Sequence, residues 1–393
     1  MHDGPDDSQS RGPWTIDEPT ITTLIVLAPA ANLLDSPESL TQALADTLGR
    51  AVDLSTPDQL PEHVPWVAVL EVDDLPAPLI CWPEANAAEG TGLEDDLPSP
   101  AGLIVQTVLH PDDPLTCMAN VLRLLSIAGT GASGILDADT GRWLPFALLQ
   151  KQIVQCDIEP SEELLWIVEA TDQDDVYTMQ TCGLERCGHR ELAMNGLAAS
   201  QLDTAADLVA SLAALVLETA LPESGTIEIG PGLHLRIGGD PSAENAVVEL
   251  SHAERNGPPD DVLERLEDDI AAVYRSERST ARRTALASST WDRLLDLHST
   301  LIEAGATCYV EVPFEDSSGQ DDRRIHLWME ITERRDAIVM AIPAHEAREL
   351  EGLSEDPITV EADEICSWRV VLDEEAWGPE QCEMLIERFA NDS

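Results

Sequence analysis

One short stretch near the middle of the chain combines residue types that could do chemistry. Cys182, Cys187 and His189 stand close together, and Glu191 follows two residues after the histidine. A thiol with an imidazole and a carboxylate could form a nucleophilic site, and two thiols with an imidazole could hold zinc. Structural zinc usually takes a second pair of ligands, and only Cys156 could approach from elsewhere. We therefore predict no metal, no cofactor and no catalytic residue here.

The same stretch is better explained as a structural turn. Gly183 and Gly188 allow left-handed backbone, and we expect Arg186 to pair with Glu191 and so brace the turn. A catalytic pair is less favoured, because residues two apart on a strand share a face but rarely bring sulfur and imidazole into reach. The predicted turn residues are Thr181, Gly183, Leu184, Arg186, Gly188 and Glu191.

A second candidate site lies in the strand-like segment 326–331. Alternation along a strand puts His326, Trp328 and Glu330 on one face, and the three apolar residues between and after them on the other. We expect the apolar face to lie in the core. The first face mixes a tryptophan with ionisable groups, which is typical of a binding surface and also of the rim of a small barrel.

Two other motifs favour structural roles. The string Gly129-Thr-Gly-Ala-Ser-Gly134 resembles a phosphate-binding loop in spacing, but a helix is predicted before it and a strand after it. This order is the reverse of what a dinucleotide site needs, so we predict a helix cap and turn. The one dense basic cluster is expected to supply counter-charges to acidic neighbours. Its residues are Arg275, Arg278, Arg282 and Arg283, and the neighbours are Glu264, Glu267, Asp268 and Asp269.

The charge of the chain is its most unusual property. The 393 residues include 75 acidic and 22 basic side chains, a net charge of −53, and Lys151 is the only lysine. The acids are spread along the chain, which favours a surface adapted to high salt, so we predict a halophilic source and salt-dependent folding. The alternative is an acidic protein that binds a basic partner. Nucleic-acid binding is not expected, because phosphates need a basic footprint.

The sequence also predicts where the protein resides. Its first residues do not show the basic and apolar pattern of a secretory signal, and no run of about 18 apolar residues predicts a membrane span. The eight cysteines are scattered and mostly lie in apolar runs, as expected for reduced, buried thiols. We predict a soluble, cytoplasmic protein without membrane contact.

Periodicity and turn signals predict an α/β fold, α+β overall, with two similar βαβββα-type lobes and a barrel-like, β-rich module at the end. The predicted parts are a disordered leader (1–19), a first lobe (20–131), a second lobe (132–256), a helical connector (257–306) and the small C-terminal module (307–393).

Two stretches resemble known families. His326-Leu-Trp-Met-Glu-Ile331, Ile358-Thr-Val360 and Ile365-Cys-Ser-Trp368 resemble a bacterial module known as domain of unknown function 2314. In that family a Gly-Asp precedes a strand and an Asp precedes the last tryptophan. Here Glu355-Asp356 stands near the first position and Ser367 replaces the second acid. The central turn resembles the signature of a second uncharacterised family that often precedes this module. Neither resemblance implies an activity.

These observations predict a non-catalytic cytoplasmic binding or scaffold protein, with an unidentified protein as its partner. The candidate contact residues are His326, Trp328, Glu330 and Trp368. Two alternatives stay open. One is an enzyme of unrecognised class that uses Cys187, His189 and Glu191, and the other is an acidic immunity- or decoy-type protein.

Overall fold

The computed structural model describes residues 12–29, 32–57, 59, 63–73, 75–93, 95–129, 131–243, 245–267, 273–315, 324–335, 338–344, 356–373 and 375–390. The chain forms two compact units. The first is drawn from residues 1–202, 216–225 and 237–251, and the second from residues 203–215, 226–236 and 252–393. Helices alternate with strands along the chain, and the strands form three sheets. The predicted α/β class, α+β overall, is therefore confirmed.

The helices are α1 (Asn32–Asp35), α2 (Pro37–Leu48), α3 (Pro114–Ala128), α4 (Phe146–Leu149), α5 (Leu202–Val216), α6 (Asp260–Glu267), α7 (Glu277–Glu303) and α8 (Cys382–Ala390). The strands before residue 200 are β1 (Thr22–Leu27), β2 (Asp53–Ser55), β3 (Ala68–Glu71), β4 (Leu79–Glu84), β5 (Gly102–Thr107), β6 (Gly134–Asp137), β7 (Arg142–Pro145), β8 (Ile167–Gln173), β9 (Val176–Cys182) and β10 (Leu192–Leu197). The later strands are β11 (Gly225–Gly230), β12 (Leu233–Gly238), β13 (Val248–His252), β14 (Thr307–Glu315), β15 (Arg324–Arg335), β16 (Ile338–Pro343), β17 (Ile358–Val360), β18 (Ser367–Leu372) and β19 (Glu375–Trp377).

The first unit contains a seven-stranded sheet in the order β2-β3-β4-β5-β1-β6-β7. All neighbouring strands are antiparallel, and β1 lies between β5 and β6. The sequence placed β6 and β7 in a second lobe that begins at residue 132. The turn after α3 instead returns the chain beside β1, where Leu27 pairs with Gly134. β6 and β7 therefore belong to the same sheet as the strands of the first predicted lobe.

Helices α2 and α3 begin where their sequence signals indicate. The Ser36 hydroxyl accepts the Ser39 N–H at 3.2 Å, and the Asp113 carboxylate accepts the Thr116 N–H at 3.2 Å. Each cap is followed by proline at the first helical position, and Gly49 ends α2 in left-handed backbone. The apolar faces lie in the core through Leu40 and Leu44 in α2 and Leu115, Met118, Leu122 and Leu125 in α3.

A hairpin and a turn form much of the remaining first unit. β8 and β9 pair across Asp174 and Asp175, and β9 pairs on its other side with β10. β10 then pairs in parallel with β13. The central turn joins β9 to β10 and contains a short 3-10 helix, Leu184–Cys187. Strand β7 leads directly into α4, and a π-helical turn, Gln150–Val154, follows α4.

Residues 12–19 belong to the packed first unit, whereas the sequence predicted a disordered leader over residues 1–19. Trp14 is only 3% exposed, and its indole N–H donates to the Pro222 carbonyl at 2.8 Å. The Ile16 N–H donates to the Gly188 carbonyl and the Arg190 N–H to the Trp14 carbonyl, each at 2.9 Å. One tryptophan anchors an otherwise polar segment, which composition alone does not reveal. Residues 1–11 lie outside the described residues.

The second unit contains a six-stranded antiparallel sheet in the order β17-β16-β15-β14-β18-β19. The described strands do not close into the predicted barrel, because β17 and β19 remain the two edges of the sheet. α7 covers one face, where Trp291 and Leu294 join the core cluster that includes Val310 and Val370. Since a helix covers the apolar face, the sheet buries its core without closing. α7, which the sequence assigned to a connector, is therefore part of this core.

One helical stretch is long and apolar enough to cross a membrane by length and composition alone. It is Ala199–Val216, with 18 residues and a mean hydropathy of 1.2. Leu208 and Leu212 are buried, while Asp203 and Asp207 are exposed on the same helix. This division into two faces is typical of a helix that packs on a protein core.

Candidate functional site

The strand that carries Trp328 separates a core face from a polar face, as the alternation predicts. His326, Trp328 and Glu330 are half-buried on the polar face of β15. The residues of the other face are buried in the core, and they are Leu327, Met329 and Ile331.

Two neighbouring strands add an aromatic ring and a cation to the polar face. Tyr309 on β14 lies opposite Glu330 on β15 and opposite Arg369 on β18. The Arg369 guanidinium carbon lies 4.8 Å from the centroid of the Trp328 ring and 5.5 Å from that of the Tyr309 ring. A cation this close to a ring is attracted by the ring's quadrupole. We call Tyr309, His326, Trp328, Glu330 and Arg369 the Trp328 face.

Arg369 lies beside aromatic rings, whereas several other arginines near this sheet pair with carboxylates, such as Arg275, Arg282 and Arg293. Among the described residues Arg369 forms no salt bridge, and its buried Nε has no hydrogen-bond acceptor. This is unusual in a chain with 75 acidic side chains. Buried N–H groups are normally paired, and an unpaired one is costly. The Trp328 face thus holds a cation that is oriented by two rings and has no salt bridge among the described residues.

Glu311 lies opposite Trp328 in the sheet but is only 1% exposed. Two arginines neutralise its charge. Arg275, in the segment before α7, is hydrogen-bonded to it, and an Arg283 nitrogen lies 3.6 Å from its other carboxylate oxygen. Burying a carboxylate requires such partners, so this group of charges has a structural role.

The basic cluster supplies counter-charges, as the sequence favoured, but to different acids. Arg275 and Arg283 pair with Glu311, and Arg282 pairs with Glu380 at 2.7 Å. The acids come from the following sheet and helix, whereas the sequence could indicate only near neighbours along the chain. Of the predicted partners, Asp268 and Asp269 lie outside the described residues.

Trp368 does not belong to the Trp328 face, although the sequence grouped it with the contact residues. Its side chain is fully buried, and its indole N–H donates to the Thr290 hydroxyl of α7 at 2.9 Å. Alternation along β18 is the reason: Arg369 points to the polar face, so its neighbour Trp368 points into the core.

Glu191 holds the central turn together from inside. One of its carboxylate oxygens accepts the Thr181 hydroxyl at 2.6 Å. The other accepts the backbone N–H groups of Gly183 and Glu185 at 2.8 and 3.2 Å. The Thr181 hydroxyl in turn accepts the Leu192 N–H at 2.8 Å. Burial raises the pKa of Glu191, and these hydrogen bonds oppose that shift in part.

The predicted pair between Arg186 and Glu191 is wrong. Arg186 is 1% exposed and binds Asp137 of β6 through two nitrogens, at 2.9 and 2.8 Å. Its Nε also donates to the Leu165 carbonyl at 2.9 Å. Glu191 is unavailable because backbone N–H groups occupy its carboxylate, so Arg186 takes the buried acid on the neighbouring sheet. Asp137 is equally buried, at 1% exposure.

The glycines of the turn have the conformational role that the sequence predicts. Gly183 has a φ of 120°, and a Cβ there would lie 2.5 Å from the Leu165 carbonyl oxygen. Gly188 has a φ of 85°, also in the left-handed region. Leu184 between them is fully buried. All six predicted turn residues therefore take part in one packed structure.

The geometry gives no support to a nucleophilic site at this turn. Cys187 is fully buried, and burial raises the pKa of its thiol to about 12. Its Sγ faces the Gly183 carbonyl at 3.8 Å. Burial lowers the pKa of His189, which lines a small cleft beside Trp14. A thiol that stays protonated and closed to solvent does not attack a substrate.

Metal-ligating side chains are dispersed in the described part of the chain, where no three His, Cys, Asp or Glu residues are placed to share an ion. The glycine-rich string joins α3 to β6, and the Gly129 N–H donates to the Leu125 carbonyl at 2.8 Å. The predicted helix cap is confirmed.

Sequence reasoning missed Tyr309, Arg369 and Asp137. Tyr309 and Arg369 reach Trp328 only through the strand register, which no local pattern specifies. Asp137 is 49 residues from Arg186 in the sequence. A buried carboxylate at the end of an apolar strand was the one available signal, since such a group needs a cationic partner.

Residues 277–393 match the model of a family described as "Uncharacterized protein conserved in bacteria (DUF2314)". The match confirms the resemblance of the C-terminal module, and it starts at the first residue of α7, the helix that completes this module's core. The searches of curated proteins and of solved structures found no match. The resemblance of the central turn to a second family stays a prediction.

Proposed function

We propose that this is a non-catalytic binding protein whose contact surface is the Trp328 face. The observation that supports the proposal most is the position of Arg369. Its guanidinium lies over the rings of Trp328 and Tyr309, and its Nε has no acceptor among the described residues. A partner that supplies an oxygen acceptor would bind this guanidinium through its terminal N–H groups.

The residue types also fit a contact surface. Trp, Tyr and Arg contribute most of the binding energy at protein interfaces, and here one of each lies in a single cluster. Stacking on two rings holds the guanidinium in place, so it loses less conformational freedom on binding than a freely moving arginine would. The partner therefore presents a carbonyl or carboxylate oxygen to Arg369 and an apolar group to Trp328.

We place this binding in a reducing, salt-rich cytoplasm. No disulfide links any of the eight cysteines, which suits a reducing compartment. The net charge of −53 suits a surface that is screened by molar salt.

The same net charge favours a second candidate, an acidic immunity- or decoy-type protein that neutralises a basic partner. The two candidates respond to salt in opposite ways. The affinity of a complex held by opposite charges falls steeply as the KCl concentration rises. Binding through stacked and apolar contacts persists at high KCl, where the fold becomes more stable.

The test compares capture of partners from an extract of the source cells by wild type, Arg369→Ala and Trp328→Ala at molar KCl. The matched control is Met384→Ala, because Met384 is 64% exposed and lies outside the Trp328 face. We expect one stoichiometric partner with wild type and the control, and its loss with both face variants while circular dichroism is unchanged. Equal capture by all four proteins would rule out this surface.

A further inference from the structure

β8 lies at the edge of its sheet, and it is long for an edge strand of this protein. It contains seven residues, and in the described part of the chain it pairs only with β9. The other edge strands are shorter: β2, β17 and β19 contain three residues each, β7 contains four and β11 contains six. Short edges limit pairing with other chains, and a long exposed edge invites it. Residues 169–173 of β8 are all exposed.

The hairpin fixes which backbone groups of β8 face outward. Asp174 and Asp175 form a two-residue turn with φ values of 57° and 64°, and Gln173 pairs with Val176 across it. In such a hairpin the closing pair exchanges both hydrogen bonds, and bonded and non-bonded pairs then alternate. The backbone groups of the non-bonded pairs therefore point away from β9. They are the N–H and C=O groups of Val168, Ala170 and Asp172.

The charge around this edge indicates what could pair with it. β8 and its turn carry Glu169, Asp172, Asp174 and Asp175, and the sequence has no Lys or Arg between Lys151 and Arg186. Like charges opposite each other destabilise strand pairs, and opposite charges stabilise them. A second copy of this acidic strand is thus disfavoured, and a basic strand is favoured.

We infer that β8 binds an extended, basic segment of a partner protein as an added strand. The outward backbone groups of Val168, Ala170 and Asp172 form the new ladder, as in other cases of strand addition. Glu169 and Asp172 point to opposite faces of the sheet, so they select basic residues on both faces of the incoming strand. This surface is independent of the Trp328 face, and either could fail without the other.

The probe is a labelled synthetic peptide of about nine residues that alternates valine and threonine, with arginines placed opposite Glu169 and Asp172. Binding to the full chain is measured by fluorescence anisotropy, at the lowest KCl concentration that preserves its circular dichroism. The control peptide is identical except for N-methyl groups on alternate backbone nitrogens, which remove the pairing edge.

The protein variants are Ala170→Pro, which removes one outward N–H, and Ala170→Ser, which keeps it. Proline at this position leaves the bonds to β9 intact, because edge strands tolerate it where the N–H faces solvent. We expect wild type and Ala170→Ser to bind the peptide equally and Ala170→Pro to bind it at least about tenfold more weakly. We expect the N-methylated peptide not to bind to wild type. No binding by wild type would overturn the inference. Equal binding of the N-methylated peptide would also overturn it, because the attraction would then come from charge alone.

Discussion

Removing the carboxylate of Asp137 should strongly destabilise the first unit. Asp137 and Arg186 are each 1% exposed, and two hydrogen bonds of 2.9 and 2.8 Å join them. Asp139 adds a weaker contact, with an oxygen 3.6 Å from an Arg186 nitrogen. Asp137→Ala would leave the guanidinium buried and largely uncompensated, with backbone carbonyls as its main remaining partners.

The expected cost follows from what remains buried. Breaking a buried ion pair by removing one partner typically costs about 3–5 kcal/mol, because the other charge cannot return to water. For a folded unit of about 150–250 residues, each kcal/mol lowers Tm by about 2–4 °C. Asp137→Ala should therefore lower Tm of the first unit by about 6–20 °C.

The measurements are thermal unfolding for Tm and urea unfolding for the free energy, both followed by circular dichroism at one fixed KCl concentration, with Arg186→Met and the double variant alongside. Removing both charges also removes the uncompensated cation, so the double variant should cost less than the sum of the two single changes. A cost below about 1 kcal/mol for Asp137→Ala, or strict additivity of the two changes, would refute the reasoning.

Other changes have equally definite outcomes. Gly183→Ala should cost about 1–3 kcal/mol in urea unfolding, because its φ of 120° is strained for any side chain and the Leu165 carbonyl is in the way; a neutral result would contradict this. The Cys187 thiol, with a pKa raised to about 12, should react with iodoacetamide only after unfolding, and mass spectrometry showing fast labelling of the native protein would disprove its burial. Burial lowers the pKa of His189 in the folded protein below its ordinary value of 6.5. The folded state therefore favours the neutral ring, which increases the free energy of unfolding above pH 6.5. This contribution is lost as the pH falls through the pKa that His189 has in the folded state. His189→Gln should flatten the dependence of Tm on pH below 6.5, and an unchanged dependence would contradict this. Raising KCl toward about 1 M should raise Tm by screening the net charge of −53, and a fall in Tm would argue against salt adaptation.

Features with a local cause could be predicted from the sequence. Ser36 and Asp113 identify helix starts because each side-chain oxygen accepts the backbone N–H three residues later, which has no acceptor within the helix. The two faces of β15 follow from alternation alone, so Trp328 was placed correctly. The roles of Gly183 and Gly188 follow from the backbone freedom that glycine has.

Features that depend on distant partners could not be predicted. Arg186 and Glu191 are close in sequence and opposite in charge, yet each has other partners, because the turn's own N–H groups occupy the glutamate. The Trp14 indole N–H donates to a carbonyl 208 residues away, so residues 12–19 of the predicted leader are packed. Arg369 acquires its place over Trp328 only when β14 aligns the two strands.

Site-specific photo-crosslinking tests most directly whether the Trp328 face contacts a partner. Glu330→p-benzoylphenylalanine places the crosslinker on the face, and the same substitution at Met384 places it on exposed surface of the same unit. Both proteins are irradiated in an extract of the source cells at molar KCl. We predict one crosslinked partner from position 330, lost on adding Arg369→Ala, and none from position 384. The same products from both positions, or no product from position 330, would contradict the claim.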